Sequence, residues 1–213
     1  MKRSARFDII LKLLEANYRG AETALSYKNP FELLIATILS AQCTDKQVNK
    51  ITPALFKKFP RPEDYIDLSV DTLSKYIKSC GFYKTKSRHI IATCNILVGD
   101  HKSSVPDDME SLIKLPGVGR KTANVVLSSA FGKAAIAVDT HVFRVSNRLG
   151  LAEADNVETT EEQLMENIPK NKWSKAHHWL IYHGRQICKA RNPQCDKCFL
   201  LLYCKYGANS NKK

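Results

Sequence analysis

The stretch Leu115-Pro116-Gly117-Val118-Gly119-Arg120-Lys121-Thr122-Ala123 decides the fold. Glu110 to Leu115 has the apolar spacing of a helix, Pro116 stops it, and Thr122 to Phe131 resumes that spacing. The residues between them therefore form a short turn joining two helices. Two glycines two positions apart let the backbone approach another molecule closely. The helix that follows opens with unpaired N–H groups and the positive end of its dipole, a setting that suits a phosphate. Each cation in a first helical turn costs roughly 0.3–1 kcal/mol. Arg120 and Lys121 in succession therefore call for an anion, and DNA phosphate would supply it. On the residues alone an ordinary connection between two helices stays open beside this reading.

Outward from that turn, the composition narrows the partner. With 213 residues the chain can bury one large core or two small ones. Its 33 Lys and Arg against 21 Asp and Glu leave a net charge of +12, which points to a polyanion, most simply nucleic acid. A merely basic soluble protein fits the charge too, and charge does not separate DNA from RNA. Of seven cysteines, Cys188, Cys195, Cys198 and Cys204 crowd the C-terminal end, whereas Cys43, Cys80 and Cys94 are scattered. That pattern argues for a bound metal in a reducing compartment rather than a disulfide framework, with Cys43 read as structural. Met1-Lys2-Arg3 opens like a secretion signal, but Lys12 and Glu15 interrupt the apolar run too early. No stretch approaches the length of a membrane span, so the expectation is a soluble, intracellular, cytoplasmic protein, nucleoid-associated if bacterial.

Helical signals fill the chain. Phe7, Ile10, Leu11 and Leu14 share one face of an opening amphipathic helix. Asn29-Pro30-Phe31-Glu32 supplies a cap, a proline at the first position and a glutamate at the third, before the apolar run Leu33 to Leu39. Thr44 with Gln47 repeats the capping-box spacing after Ser40-Ala41-Gln42-Cys43, and Pro53 is expected to kink or shorten the helix that follows. Helices over Leu73 to Ile77 and Arg88 to Leu97 flank a loop, Gly81-Phe82-Tyr83-Lys84, whose aromatics and basic rim (Lys84, Lys86, Arg88) suit a wedge into a base stack. The alternative for Phe82 is a buried staple. Asp107, with Glu110 three residues on, is read as the cap of the helix leading into the hairpin. Asp139 precedes a further helix, where a lone aspartate before threonine is most simply a cap, and helices over Glu161 to Asn167 and Ser174 to Cys188 complete an all-α chain. His141, His177, His178 and His183 are read as packing or hydrogen-bonding groups.

Leu115 to Ala123, together with Ala137-Val138-Asp139-Thr140-His141-Val142-Phe143-Arg144-Val145 and the cysteine cluster, resembles the endonuclease III family of bifunctional DNA glycosylase/AP lyases. The resemblance covers nearly the whole chain. It implies two helical lobes: a six-helix barrel over 22–132 with the helix-hairpin-helix motif at 115–121, and an iron–sulfur cluster lobe built from 1–21 and 133–213. It implies double-stranded DNA with a damaged base or abasic site as partner, and a monomer. Gln42 matches the family's glutamine that fills the gap left by a flipped nucleotide. Phe82 departs from the family's leucine-like wedge. Gly117, Gly119, Arg120 and Lys84 are the remaining candidate DNA contacts.

From four cysteines alone, a structural zinc is the first reading. The spacing Cys188-x6-Cys195-x2-Cys198-x5-Cys204 is that of the family's [4Fe–4S] loop, so the resemblance implies the cluster instead. Four protein thiolates leave no open coordination position, which disfavours a catalytic role. Arg185, Lys189, Arg191, Lys197 and Lys205 in or beside the loop suggest DNA anchoring, with solubility and compensation of thiolate charge as the alternative. For the chemistry, a flipped nucleotide exposes the sugar carbon to attack. Water activated by Asp139 would remove the base only, whereas the Lys121 amine attacking the same carbon would give a Schiff base and strand cleavage by β-elimination. A monofunctional relative of the adenine-mismatch type is expected to lack a lysine at position 121. A non-enzymatic, redox-sensing DNA-binding protein would need neither Lys121 nor Asp139.

Overall fold

The computed structural model describes residues 3–210; Met1 and Lys2 of the opening tripeptide lie outside the described residues. Its α-helices are α1 (Arg3–Asn17), α2 (Pro30–Ser40), α3 (Asp45–Lys58), α4 (Val70–Ile77), α5 (Tyr83–Asp100), α6 (Met109–Ile113), α7 (Arg120–Phe131), α8 (Thr140–Leu149), α9 (Val157–Asn167), α10 (Trp173–Gln186) and α11 (Lys205–Ser210). No strand occurs among the described residues, in keeping with an all-α chain. No described helix is long and apolar enough to cross a membrane. The chain divides into two compact units, Met1–Glu22 with Lys133–Lys213, and Thr23–Gly132.

In the unit Thr23–Gly132, α2 is buried from Phe31 to Leu39 and packs against α3, α5 and α7. Its start follows from local chemistry. The Asn29 side chain accepts the Glu32 N–H at 2.9 Å, Pro30 takes a position that needs no N–H donor, and the Glu32 carboxylate accepts the Lys28 N–H at 2.7 Å. Helix α3 starts on Thr44, whose hydroxyl accepts the Gln47 N–H at 3.2 Å. Gln47 does not complete the box; its amide donates instead to Ser79 Oγ at 2.8 Å.

The structure departs from several local expectations. Pro53 does not shorten α3, which runs on to Lys58 because Val48, Thr52, Leu55 and Phe56 bury one continuous face on both sides of it. Tyr83 and Lys84 belong to α5 rather than to a loop, and Phe82 is its left-handed N-cap residue. Phe82 is 66 % exposed, so the buried-staple alternative fails. Lys86 is not part of a basic rim: it is buried, and its ammonium donates to the Leu39 carbonyl at 2.8 Å. The cap of α6 is Asp108 rather than Asp107, accepting the Ser111 N–H at 2.8 Å. Helix α9 begins earlier than expected, at Val157, because Asn156 accepts the Thr159 N–H at 2.8 Å.

In the other unit, α1 lays Phe7, Ile10, Leu11 and Leu14 into a core with Val142, Val145, Leu149, Leu164, Trp179 and Leu180. Helix α10 is the hub, packing on both α1 and α8. Arg6, next to Phe7 on α1, donates to the carbonyls of Leu149 (2.7 Å), Gly150 (2.9 Å) and Tyr203 (2.8 Å), tying α1 to the end of α8 and to the segment just before α11. Hydrogen bonds from a charged donor are worth about 1.5–3 kcal/mol each when kept from water, less where partly exposed as here. Arg6→Ala is expected to lower stability by about 2–4 kcal/mol in urea unfolding. Arg6→Lys should recover less than half of that, since one ammonium cannot span three carbonyls.

Candidate active site

The hairpin lies within the unit Thr23–Gly132. After α6 the chain turns through buried Leu115 and Val118, with the Val118 N–H donating to the Leu115 carbonyl at 3.0 Å and Thr93 of α5 donating to the Pro116 carbonyl at 2.9 Å. Gly117 has φ +80°, and a β-carbon there would stand 2.9 Å from His89 Nδ1. Both the left-handed backbone and the lack of space therefore require glycine. Gly119 caps α7 with an extended backbone (φ −88°, ψ 174°) and open space around it. Arg120 and Lys121, both exposed, are the first two residues of α7, so the two cations stand at the positive end of that helix, as the sequence indicates.

Two further turns of this unit carry Gln42 and Phe82. Each has a left-handed backbone, φ +54° for Gln42 and φ +57° for Phe82, which costs a residue with a β-carbon about 1–2 kcal/mol. The two turns adjoin: a β-carbon on Gly81 would lie 3.4 Å from the Gln42 carbonyl oxygen. Both side chains are exposed, as is Lys84. Both residues thus carry backbone strain, and Phe82 adds an exposed ring that its own packing does not use.

Asp139 belongs to the other unit, Met1–Glu22 with Lys133–Lys213. A buried extended segment, Ala135 to Val138, delivers it to the start of α8, where its Oδ1 accepts the N–H groups of His141 and Val142, both at 2.8 Å. The carboxylate is thus held in one orientation by its capping bonds. His141 beside it is a hydrogen-bonding group: its Nδ1 lies 3.2 Å from the Arg144 guanidinium, which can only donate. Burial holds the His141 pKa below the usual histidine value, opposed by the Asp139 charge. His177 is buried with Nδ1 2.7 Å from the Ala137 carbonyl. Burial likewise lowers the pKa of His178.

The four clustered cysteines follow α10. Cys195 opens one 3-10 turn, and Cys198 and Cys204 stand just past the ends of two. All four line one small apolar cavity, walled by Leu149, Ile187, Pro193 and Leu201. Several donors face the sulfurs: the Arg148 guanidinium is 3.5 Å from Cys188 Sγ, and the Gly207 N–H is 3.4 Å from Cys204 Sγ. His183 Nε2 is 3.5 Å from Cys198 Sγ, while the Tyr18 hydroxyl lies 3.0 Å from His183 Nδ1. Arg144 and Arg148 escape the sequence reading. One turn apart on α8, they grip the cysteine loop through the carbonyls of Cys188 (3.1 Å), Lys189 (2.7 Å) and Ala190 (3.0 Å). Their only signal in the sequence is an i, i+4 pair on the helix that Asp139 caps. Of the loop's own cations, Lys205 is committed to Glu153 at 3.0 Å.

A glycine turn opening onto a cationic helix start, on an all-helical scaffold, is the build of a hairpin-type DNA repair protein. Residues 35–170 match the HhH-GPD superfamily of base excision DNA repair proteins. The chain is 52% identical over 200 residues to endonuclease III of Rickettsia conorii, covering 94% of this chain and 95% of that one. It is 47% identical over 206 residues to endonuclease III of Escherichia coli K12, covering 97% of each. It also superposes with a TM-score of 0.93 and 48% identity on a trapped endonuclease III–DNA covalent intermediate in an estranged-adenine complex, over 99% of this chain and 100% of that one. The chain belongs to the endonuclease III family.

Gly117→Ala is expected to weaken binding to a duplex carrying an uncleavable abasic-site analogue at least about tenfold, or 1.4 kcal/mol. Adding His89→Ala should restore only the steric share, because the left-handed backbone still penalises alanine by about 1–2 kcal/mol. Full recovery in the double variant would show that contact with His89 alone demands glycine.

Proposed function

We propose that the protein excises damaged, chiefly oxidised, pyrimidines from double-stranded DNA and then cleaves the abasic strand by β-elimination, with Lys121 as nucleophile and Asp139 as acid–base group. The observation that carries this reading is the likeness, over nearly the full chain, to an endonuclease III–DNA covalent intermediate, in a chain whose hairpin helix begins Arg120-Lys121. It acts as a monomer in the cytoplasm, at the nucleoid in a bacterium.

Excision begins with extrusion of the damaged nucleotide, at a cost of a few kcal/mol in lost stacking and pairing. Gln42 fills the vacated space, and the exposed ring of Phe82 wedges the stack from the adjoining turn. Gly117 and Gly119 let the hairpin backbone close on phosphate, and Arg120 and Lys84 add charge to that contact. The Lys121 amine then attacks the sugar C1′: the N–C1′ bond forms as the glycosidic bond breaks, and the base leaves as an anion that takes its proton from water. Opening of the sugar ring gives a Schiff base, loss of a C2′ proton expels the 3′ phosphate, and hydrolysis returns Lys121. Asp139 takes the proton that Lys121 must shed and returns one to the ring oxygen.

Cys188, Cys195, Cys198 and Cys204 would hold a [4Fe–4S] cluster. This reading rests on the spacing of the four cysteines, which resembles that of the family's [4Fe–4S] loop, and on their lining one cavity with soft thiolate donors. When bound, the cluster supplies a rigid cross-link to the loop with no coordination position left for substrate. Arg144 and Arg148 carry that rigidity to α8 and so to Asp139.

Lys121→Ala is expected to abolish borohydride-trapped complexes on thymine-glycol and abasic duplexes, while affinity for the uncleavable duplex falls less than about tenfold. Trapping at the wild-type level would remove Lys121 as nucleophile. Asp139→Asn separates the two jobs of that side chain. Asparagine is as good a helix cap, so stability should change by less than about 0.5 kcal/mol. Single-turnover base release should nonetheless fall by about 10²–10⁴. A matched loss of stability would reduce Asp139 to its capping role.

A further inference from the structure

Beneath the Gln42 and Phe82 turns lies a group of side chains that the repair chemistry does not use. Cys43 and Cys80 are 37 positions apart in sequence, yet their thiols lie close enough to interact electrostatically. Their segments are braced at two more points. The Gln47 amide donates to Ser79 Oγ at 2.8 Å, and the Gly81 backbone lies against the Gln42 carbonyl. The adjoining Gln42 and Gly81 backbones bring the neighbouring residues Cys43 and Cys80 together, the proximity a disulfide requires.

The two thiols are unequal. Cys80 is 1 % exposed, whereas Cys43 is partly open to solvent. Burial, then the contact with Cys43, pushes the Cys80 thiol up to about 12. The buried Lys86 ammonium interacts electrostatically with both sulfurs while anchored on the Leu39 carbonyl. Cys94 lies in the same unit but is fully buried. In a chain whose cysteines are otherwise free thiols or clustered ligands, a contacting pair with one accessible member is the arrangement of a reversible redox site.

We propose that Cys43 and Cys80 form a reversible disulfide site whose oxidant is hydrogen peroxide. The Cys43 sulfur attacks the peroxide, an S–O bond forms as the O–O bond breaks, and one water leaves. The Cys80 sulfur then displaces the hydroxyl, its proton departing on that group as a second water. The two thiols lose two electrons and two protons, and the peroxide is reduced to two waters. A small-molecule dithiol reverses the reaction by exchange. The bridge fastens the turn of Gln42 to that of Phe82. Its effect on DNA binding rests on the reading of those residues as DNA contacts, whereas the dithiol chemistry does not.

The test treats the cluster-loaded protein with a small molar excess of hydrogen peroxide, digests it without reductant and maps the peptides by mass spectrometry. The expected product joins the Cys43 and Cys80 peptides with the loss of two hydrogens, reverts with dithiothreitol and leaves Cys94 free. In Cys80→Ser, Cys43 should stop at sulfenic acid and be captured by dimedone, and in Cys43→Ser the Cys80 thiol should stay unmodified. Equal dimedone capture at Cys43 in the wild type and in Cys80→Ser would overturn the proposal, as would a bridge from Cys43 to any other cysteine. Affinity for the abasic-analogue duplex should shift at least fivefold on oxidation of the wild type and not in Cys43→Ser. A bridge that forms with affinity unchanged sustains the dithiol and counts against the placement of Gln42 and Phe82 on DNA.

Discussion

Backbone carbonyls that no regular element can satisfy set the terms for the last third of the chain. Between the end of α10 and the start of α11 the backbone makes only short 3-10 turns, with no ladder of hydrogen bonds to absorb its polar groups. Three arginines meet the demand there and at the adjoining ends of α8 and α10. Arg6 takes the carbonyls of Leu149, Gly150 and Tyr203, Arg144 those of Gly184 and Cys188, and Arg148 those of Lys189 and Ala190. The planar guanidinium suits the task because one side chain can donate to two or three acceptors in fixed directions, which an ammonium cannot do. A loop ordered in this way can present four thiols around one cavity.

The same bonds give α8 its importance. At its N-terminus Asp139 supplies the cap, and along its length Arg144 and Arg148 reach the cysteine loop. The helix is amphipathic about this division, with Val142, Val145 and Leu149 on the buried side. A disturbance of the cysteine loop therefore has a short mechanical route to the aspartate. The route needs no conformational switch, only a helix whose polar face is committed at both ends.

Much of the fold was legible in the sequence because helix starts are local events. Asn29, Thr44 and Asp139 act within three residues of themselves, and the bonds they make are those their spacing indicates. Where two adjacent residues both fit the rule, as with Asp107 and Asp108, local reasoning chose the wrong one. The hairpin was legible for a further reason: glycine at 117 is demanded twice, by a left-handed backbone and by His89. What could not be read is what depends on distant partners. Lys86 looks like one more cation on a basic rim, yet its ammonium finds an acceptor 47 positions away in sequence. The exposure of Phe82 and the grip of Arg144 and Arg148 on the cysteine loop are likewise products of tertiary packing. The roles given to Lys121 and Asp139 came from the family resemblance, since composition and spacing alone leave both with ordinary structural readings.

Lys86 also explains how two strained turns can persist side by side. Its backbone N–H donates to the Phe82 carbonyl at 3.0 Å, and its ammonium donates to Leu39 at the end of α2, just before the turn of Gln42. One residue thus fastens both turns from within. Desolvation lowers the pKa of the buried amine, opposing the charge that makes the side-chain bond strong. The carbonyl it holds is among the last of α2, where the negative end of the helix dipole favours a cation and offsets part of that penalty. A left-handed backbone at Gln42 and at Phe82 costs about 1–2 kcal/mol each, and an exposed aromatic ring forgoes its burial as well. Costs of this kind on two adjoining residues, above a buried cation that pins them, contribute nothing to the stability of the fold and are what the proposed contact with DNA would turn to use.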